Sequence, residues 1–210
     1  MNYKRLAAIF FILSLAMVLL ISCLNQQSPQ KQSTVSHTEL TQDQQDIVRL
    51  LSHAGREVLL FDFHEVDSYT KLELWLEVYE YGELVDHLQG IITFCHEGLF
   101  NLPEQLLIIV ERSSKQDYKE YRYTFMLYGD GSSASNTVQT QLPLPMARSS
   151  GPIRESVVIQ ENTEFILYMS KFSGSGVLRV HGEDLQIFLE QPHLLRQYSY
   201  AHIIKGRFSN

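Results

Sequence analysis

Eleven residues, Lys71-Leu72-Glu73-Leu74-Trp75-Leu76-Glu77-Val78-Tyr79-Glu80-Tyr81, restrict the chain more than any others. Leu72, Leu74, Leu76 and Val78 fall on every second position. Lys71, Glu73, Trp75, Glu77, Tyr79 and Tyr81 take the positions between. A period of two places the two sets on opposite faces of a strand, and a helix cannot separate them. One face is wholly aliphatic and the other half charged and half aromatic, which describes a sheet with one buried side. Gly82-Glu83 then turns the chain, and Leu84–Phe94 returns antiparallel.

Short strands continue on both sides of this segment. Val58–Phe63, Gln105–Val110, Tyr121–Tyr128 and Thr137–Leu142 are predicted strands. So are Glu155–Gln160, Glu164–Met169, Val177–Val180, Leu185–Leu189 and Gln197–Ile204. Glu155–Gln160 and Glu164–Met169 read as a hairpin about Glu161-Asn162. Asp130-Gly131 opens a polar loop, and Leu142-Pro143-Leu144-Pro145 is a stiff connection. Many short strands divided by turn residues predict a mainly β fold, an antiparallel β-sandwich of Ig-like or jelly-roll-like kind. One short N-terminal helix is expected before it. Thr41 and Gln44 have capping-box spacing, Ile47, Leu50, Leu51 and Ala54 share a face, and Gly55 can end the helix. That apolar stripe is expected to pack onto the domain and close one end of its core.

The N-terminus follows a different pattern. Lys4 and Arg5 precede an apolar run, Leu6–Ile21, of sixteen residues, short of the roughly 20 that cross a bilayer. The run ends in Leu20-Ile21-Ser22-Cys23. This layout resembles a bacterial lipoprotein signal peptide with its lipobox, and the resemblance covers the N-terminus alone. It implies cleavage before Cys23, acyl chains on Cys23, and residence on the extracytoplasmic side of the cell membrane. An uncleaved signal anchor and an ordinary cleaved secretory signal are the other fates open to such a segment. The expected organisation is a signal peptide over 1–22, a lipidated Cys23 with a flexible polar spacer over 23–44, and one β-rich domain over 45–210.

Charge and cysteine content narrow the partners. Of 17 basic and 24 acidic residues, only Lys4 and Arg5 precede Cys23, so a chain starting there keeps 15 and 24, a net charge of −9. Such a balance argues against nucleic acid, whose phosphates demand Lys and Arg. With Cys23 acylated, Cys95 is the last thiol, and no intramolecular disulfide can form. Its neighbour His96 would point to the opposite face of a strand, so Cys95 reads as a small buried hydrophobe.

Motifs for chemistry are weak. Gly174-Ser175-Gly176 lacks the third glycine and following helix of a phosphate turn, and Gly129-Asp130-Gly131 lacks the closing Glu of a calcium loop. His64, Glu65 and Asp67 form the one local group of candidate metal ligands, and no cofactor is expected. Trp75, Tyr79 and Tyr81, alternating on one strand face, form a candidate platform for an envelope protein or a glycan. These features predict a membrane-tethered, non-enzymatic binding module. An envelope hydrolase or metal-dependent enzyme, using His64, Glu65, Asp67 or His96, is the alternative. A solute-binding lipoprotein of a transporter is a second one.

Overall fold

The computed structural model describes residues 32–94, 104–129, 132–143, 146–174 and 184–210. Cys23 with its lipobox, Cys95, His96, His181, the strand expected over Val177–Val180 and most of both glycine loops lie outside the described residues. Two antiparallel sheets face each other. The first runs in the order β7 (Ser132–Pro143), β6 (Tyr118–Gly129), β5 (Gln105–Ser114), β2 (Arg56–His64), β1 (Thr34–His37), β9 (Val157–Val158). The second runs β4 (Glu83–Phe94), β3 (Lys71–Glu80), β11 (Tyr200–Ser209), β10 (Glu164–Ser173), β8 (Ala147–Pro152). The expected antiparallel β-sandwich is what forms. Its core repeats the period-two pattern strand by strand. Leu72, Leu74, Leu76 and Val78 of β3 face Phe61 and Phe63 of β2, Ile108 of β5 and Tyr123 and Phe125 of β6 in one cluster.

Two features of this core depend on single residues. In β10 the register slips between Ile166 and Tyr168, so Leu167 and Tyr168 both face inward. This bulge turns Tyr168 and Phe172 to the core and leaves Ile166 and Met169 on the outer face. Gly206 of β11 lies under the Phe165 ring, and a Cβ there would stand 2.6 Å from it. No side chain fits.

The N-terminal helix forms as expected, α1 (Gln42–His53), but it does not do what its stripe suggests. Thr41 caps it reciprocally: Gln44 N–H donates to Thr41 Oγ1 at 3.4 Å, and Thr41 N–H to Gln44 Oε1 at 2.9 Å. Gly55, at φ +78°, ends it. Yet Ile47 is 59% exposed and Leu50 70%, and no residue of α1 is buried. The core is already closed by the two inner sheet faces, so the helix lies outside it and half-covers Val48 and Leu51 alone.

The folded unit also starts earlier than expected. Gln32–Asn210 is one compact unit, and β1 falls inside the segment read as spacer. Val35 is fully buried, and β1 is held between β2 and β9. β1 thus takes Thr34–His37 out of the segment read as spacer and into the fold. Three further expectations change. Val157–Val158 pairs with β1 in the first sheet and makes no hairpin with β10 of the second. β8, unpredicted, completes the second sheet beside β10. The Leu185–Leu189 segment is helical, α2 (Ile187–Glu190), followed by a 3₁₀ turn over Pro192–Gln197. Phe188, Leu195 and Tyr198 from this stretch bury against Ile166, Met169, Ala201 and Ile203, a second small core on the outer face.

Candidate functional site

The strands carry charge into the sandwich at the end where β2 begins. Glu57 lies on the inward side of β2, and β8 brings Arg148 to meet it at 2.6 Å. Arg148 also donates to Tyr168 Oη, and to Ser170 Oγ through Nε at 3.2 Å and Nη2 at 3.0 Å. Tyr168 O–H donates to Glu57 Oε2 at 3.0 Å, and Ser150 O–H reaches both Glu57 oxygens at 3.2 Å. The guanidinium lies over the Tyr121 ring at 5.8 Å. A buried ion pair is tolerated when its remaining donors and acceptors are filled, and here they are. Burial pushes the Tyr168 hydroxyl well above its usual range, the Glu57 charge adds to that, and Arg148 opposes it. A phenol held neutral and already hydrogen-bonded is a poor proton acceptor.

Deeper in the same core, Tyr123 Oη and His202 Nδ1 lie 2.6 Å apart. His202 is fully buried among Tyr121, Tyr123 and Phe172, and its Nε2 is the one buried side-chain polar atom without a hydrogen bond among the described residues. Burial, helped by the nearby Arg148 charge, pushes its pKa down to about 3. It is a neutral ring at physiological pH, and its nitrogens meet no solvent.

The predicted aromatic platform does not assemble. Trp75 is 4% exposed, Tyr79 is half-buried, and Tyr81, at 62%, faces solvent in the β3–β4 turn. Trp75 Nε1–H donates to Glu77 Oε1 at 3.0 Å and Tyr79 O–H to Glu77 Oε2 at 2.6 Å. Lys205 from β11 binds Glu77 at 2.9 Å and Glu164 at 3.0 Å, and Arg207 covers the indole at 5.8 Å. The outer face of β3 thus holds a charged network, and the aromatics serve it as hydrogen-bond donors. Burial works against charge on Glu77. The hydrogen bonds from Tyr79, Lys205 and Trp75 outweigh it and hold the carboxyl below its usual range.

The predicted metal ligands also stay apart. Exposed His64 ends β2, with Nε2 3.4 Å from Ser36 Oγ. Glu65 turns the chain at φ +53°, its carbonyl accepting from Ser33, and Asp67 is exposed beyond the buried Val66. Among the described residues no group of three or more His, Cys, Asp or Glu side chains is placed to hold an ion.

Five of the nine large apolar side chains exposed among the described residues gather along β4. Tyr81, Leu84, Val85, Ile92 and Phe94 are all large and exposed, and all belong to this edge strand or its leading turn. The strand's backbone is partly sealed. Asp86 Oδ1 accepts from the His87 N–H, and Asn136 of β7 donates to the carbonyls of Gln89 and Gly90. Sequence reasoning placed the candidate aromatic platform on β3, and these exposed apolar side chains lie one strand away. The alternation of β3 shows which residues share a face, but not that Lys205 and Arg207, some 130 residues on, would cover them.

Two antiparallel sheets packed face to face define a mainly β domain of the sandwich class. The chain belongs to the YgaN domain family, whose model matches residues 34–204, from the first residue of β1 into β11. Searches of curated proteins and of solved structures find no match.

Proposed function

We propose that this chain is a lipid-anchored, extracytoplasmic, non-enzymatic lipoprotein whose sandwich binds a partner, an envelope protein or a glycan, at the cell envelope. The observation that carries the reading is the apolar rim of β4: five large side chains left in water on one edge of an otherwise acidic domain. Clustered exposure of that kind marks interaction surfaces. The lipobox at Leu20–Cys23 supports the anchor. Nine residue steps separate Cys23 from Gln32, where the folded unit starts, so the tether spans at most about 30 Å.

Two measurements test this. Intact mass of protein extracted from its host's membranes should match residues 23–210 plus acyl chains, and a Cys23→Ala chain should lose them. An unmodified chain would remove the anchor. Cross-linking on intact cells should give adducts that Leu84→Asp with Val85→Asp abolishes while Ile47→Asp does not. Unchanged adducts in the β4 variant would remove the rim as the binding surface.

A further inference from the structure

Each sheet ends in two edge strands, β7 and β9 in the first and β4 and β8 in the second. An edge strand leaves a row of backbone N–H and C=O groups without a neighbour, and proteins blunt it with charge, proline, bulges or brevity. The edges β9, β8 and β4 are blunted in this way. β9 has two residues, and β8 has six, Arg148 and Pro152 among them. β4 carries Glu83 and Asp86, and its register with β3 shifts between Leu74 and Trp75 and again between Val78 and Tyr79. β7 differs. It runs twelve residues without a charged side chain, and it pairs with β6 from Ser132 to Pro143 without a shift.

Two local devices narrow the open part of β7. Thr137 N–H donates to Asn136 Oδ1 at 2.8 Å, so this N–H points away from β6 and is already used. By the alternation of an antiparallel strand, Gln139 and Gln141 turn their N–H and C=O the same way. Pro143 has no N–H to give. The open window is therefore 138–142, and no backbone partner meets its far side among the described residues. Gln139 and Gln141 are exposed on the outer face of the sheet. Val138, Thr140 and Leu142 lie opposite Tyr123, Tyr121 and Lys119, the first two half-covered and Leu142 buried.

We propose that the 138–142 edge of β7 pairs antiparallel with the same edge of a second copy of this chain, about a two-fold axis at Thr140. Gln139 then exchanges backbone hydrogen bonds with the partner's Gln141, Thr140 faces its equivalent, and Val138 lies beside the partner's Leu142. Charge selects the occupant. With 24 acidic against 17 basic residues, two copies repel, and β7 is the long edge at which they meet without opposing like charges. An amide both donates and accepts, so Gln139 and Gln141 match their own kind, whereas a charged strand finds no counter-charge there. The same face already pairs hydroxyls across strands, Thr124 with Thr137 at 3.0 Å. A contact of this kind uses the same patch on both copies and closes at two. One strand edge buries well under the roughly 800 Å² per partner of a stable interface, so the dimer is reversible. It needs neither the anchor nor the β4 rim.

The test uses the full-length chain in non-ionic detergent with Cys23→Ser and Cys95→Ser, so that an introduced cysteine is the sole thiol. Facing residues of a non-hydrogen-bonded antiparallel pair stand about 4.5 Å apart, within disulfide reach. Thr140→Cys should therefore oxidise to a covalent dimer. Ser133→Cys, on the same strand but roughly 46 Å from its equivalent in the pair, should not. Adding Gln139→Lys and Gln141→Lys should cut the Thr140→Cys dimer about tenfold, because like charges then face each other. Mixing that chain with one carrying Gln139→Glu and Gln141→Glu should restore it as a heterodimer. Thermal melts should show every variant folded. Sedimentation of the wild type in density-matched detergent should show a reversible monomer–dimer equilibrium that the lysine variant lacks. Thr140→Cys cross-linking no better than Ser133→Cys, or a lysine variant that dimerises like the wild type, overturns the edge pairing. Leu84→Asp with Val85→Asp should leave the dimer unchanged, and its loss there would assign the contact to β4 and overturn β7.

Discussion

The two outer faces of the sandwich are covered in opposite ways. Over the first sheet lies α1, capped at Thr41, ended at Gly55, twelve residues long and burying none of them. Over the second lies an irregular stretch, four residues of α2 and a 3₁₀ turn, whose Phe188, Leu195 and Tyr198 are buried. Good local helix signals accompany the weaker packing, and poor ones the stronger. Capping and amphipathic spacing decide whether a helix forms; whether it contributes to the core depends on whether the sheet beneath offers an open apolar face. The second sheet offers Ile166, Met169, Ala201 and Ile203 outward. Their counterparts on the first sheet, such as Leu60 and Ile109, are only half-covered.

The contrast can be broken from either side. Phe188→Ala should cost most, about 3 kcal/mol, because it empties the centre of the second face. Chemical denaturation would measure it, and a loss under 1 kcal/mol would mean this stretch is an ornament like α1. Glu77→Ala should cost about 3 kcal/mol, since Lys205, Trp75 and Tyr79 lose a shared partner. The folded Glu77 has the lower pKa, so its stabilisation is complete above the unfolded carboxylate range and lost as pH falls through the folded value. Melting temperatures across acid pH should fall less steeply in Glu77→Gln.

Between the faces, His202 gives a third signature. Its folded pKa of about 3 lies below the unfolded value of 6.5, so the unfolded chain binds a proton that the fold refuses. Stability should be full above about pH 6.5 and decline below it, by up to about 1.4 kcal/mol per pH unit from this group. Denaturation midpoints of a Tyr123→Phe, His202→Leu pair should lack that slope; an unchanged slope would assign it elsewhere. The smallest effect is expected on the first face. Leu50→Ser should stay within about 0.5 kcal/mol, and a larger loss would show α1 packed more closely than its exposure allows.

Much of the sandwich was readable because an inward apolar face, aliphatic in β3 and β5 and largely aromatic in β2 and β6, repeats every second residue. Strands that break the rule were not. β1 contributes one buried apolar side chain, Val35, among Thr34, Ser36 and His37, so nothing in its composition separated it from a spacer. β8 reads Ala-Arg-Ser-Ser-Gly-Pro, and its inward positions carry Arg148 and Ser150 because Glu57 awaits them across the sandwich. The site was harder still. Alternation placed Trp75 and Tyr79 on the outer face correctly, but the side chains that cover them come from β4 and β11, and a single strand's pattern holds no record of its neighbours.

Asn136 has a consequence beyond its three hydrogen bonds. One amide reaches from β7 to the carbonyls of Gln89 and Gly90 on β4 while its own oxygen accepts from Thr137 N–H. It joins the last strand of one sheet to the last of the other, so an open two-layer fold acquires a stitched seam on that side. A chain stitched there cannot exchange its outermost strand with a neighbour until that stitch is undone. Wherever copies of the chain meet at high concentration, this single side chain guards against entanglement between them.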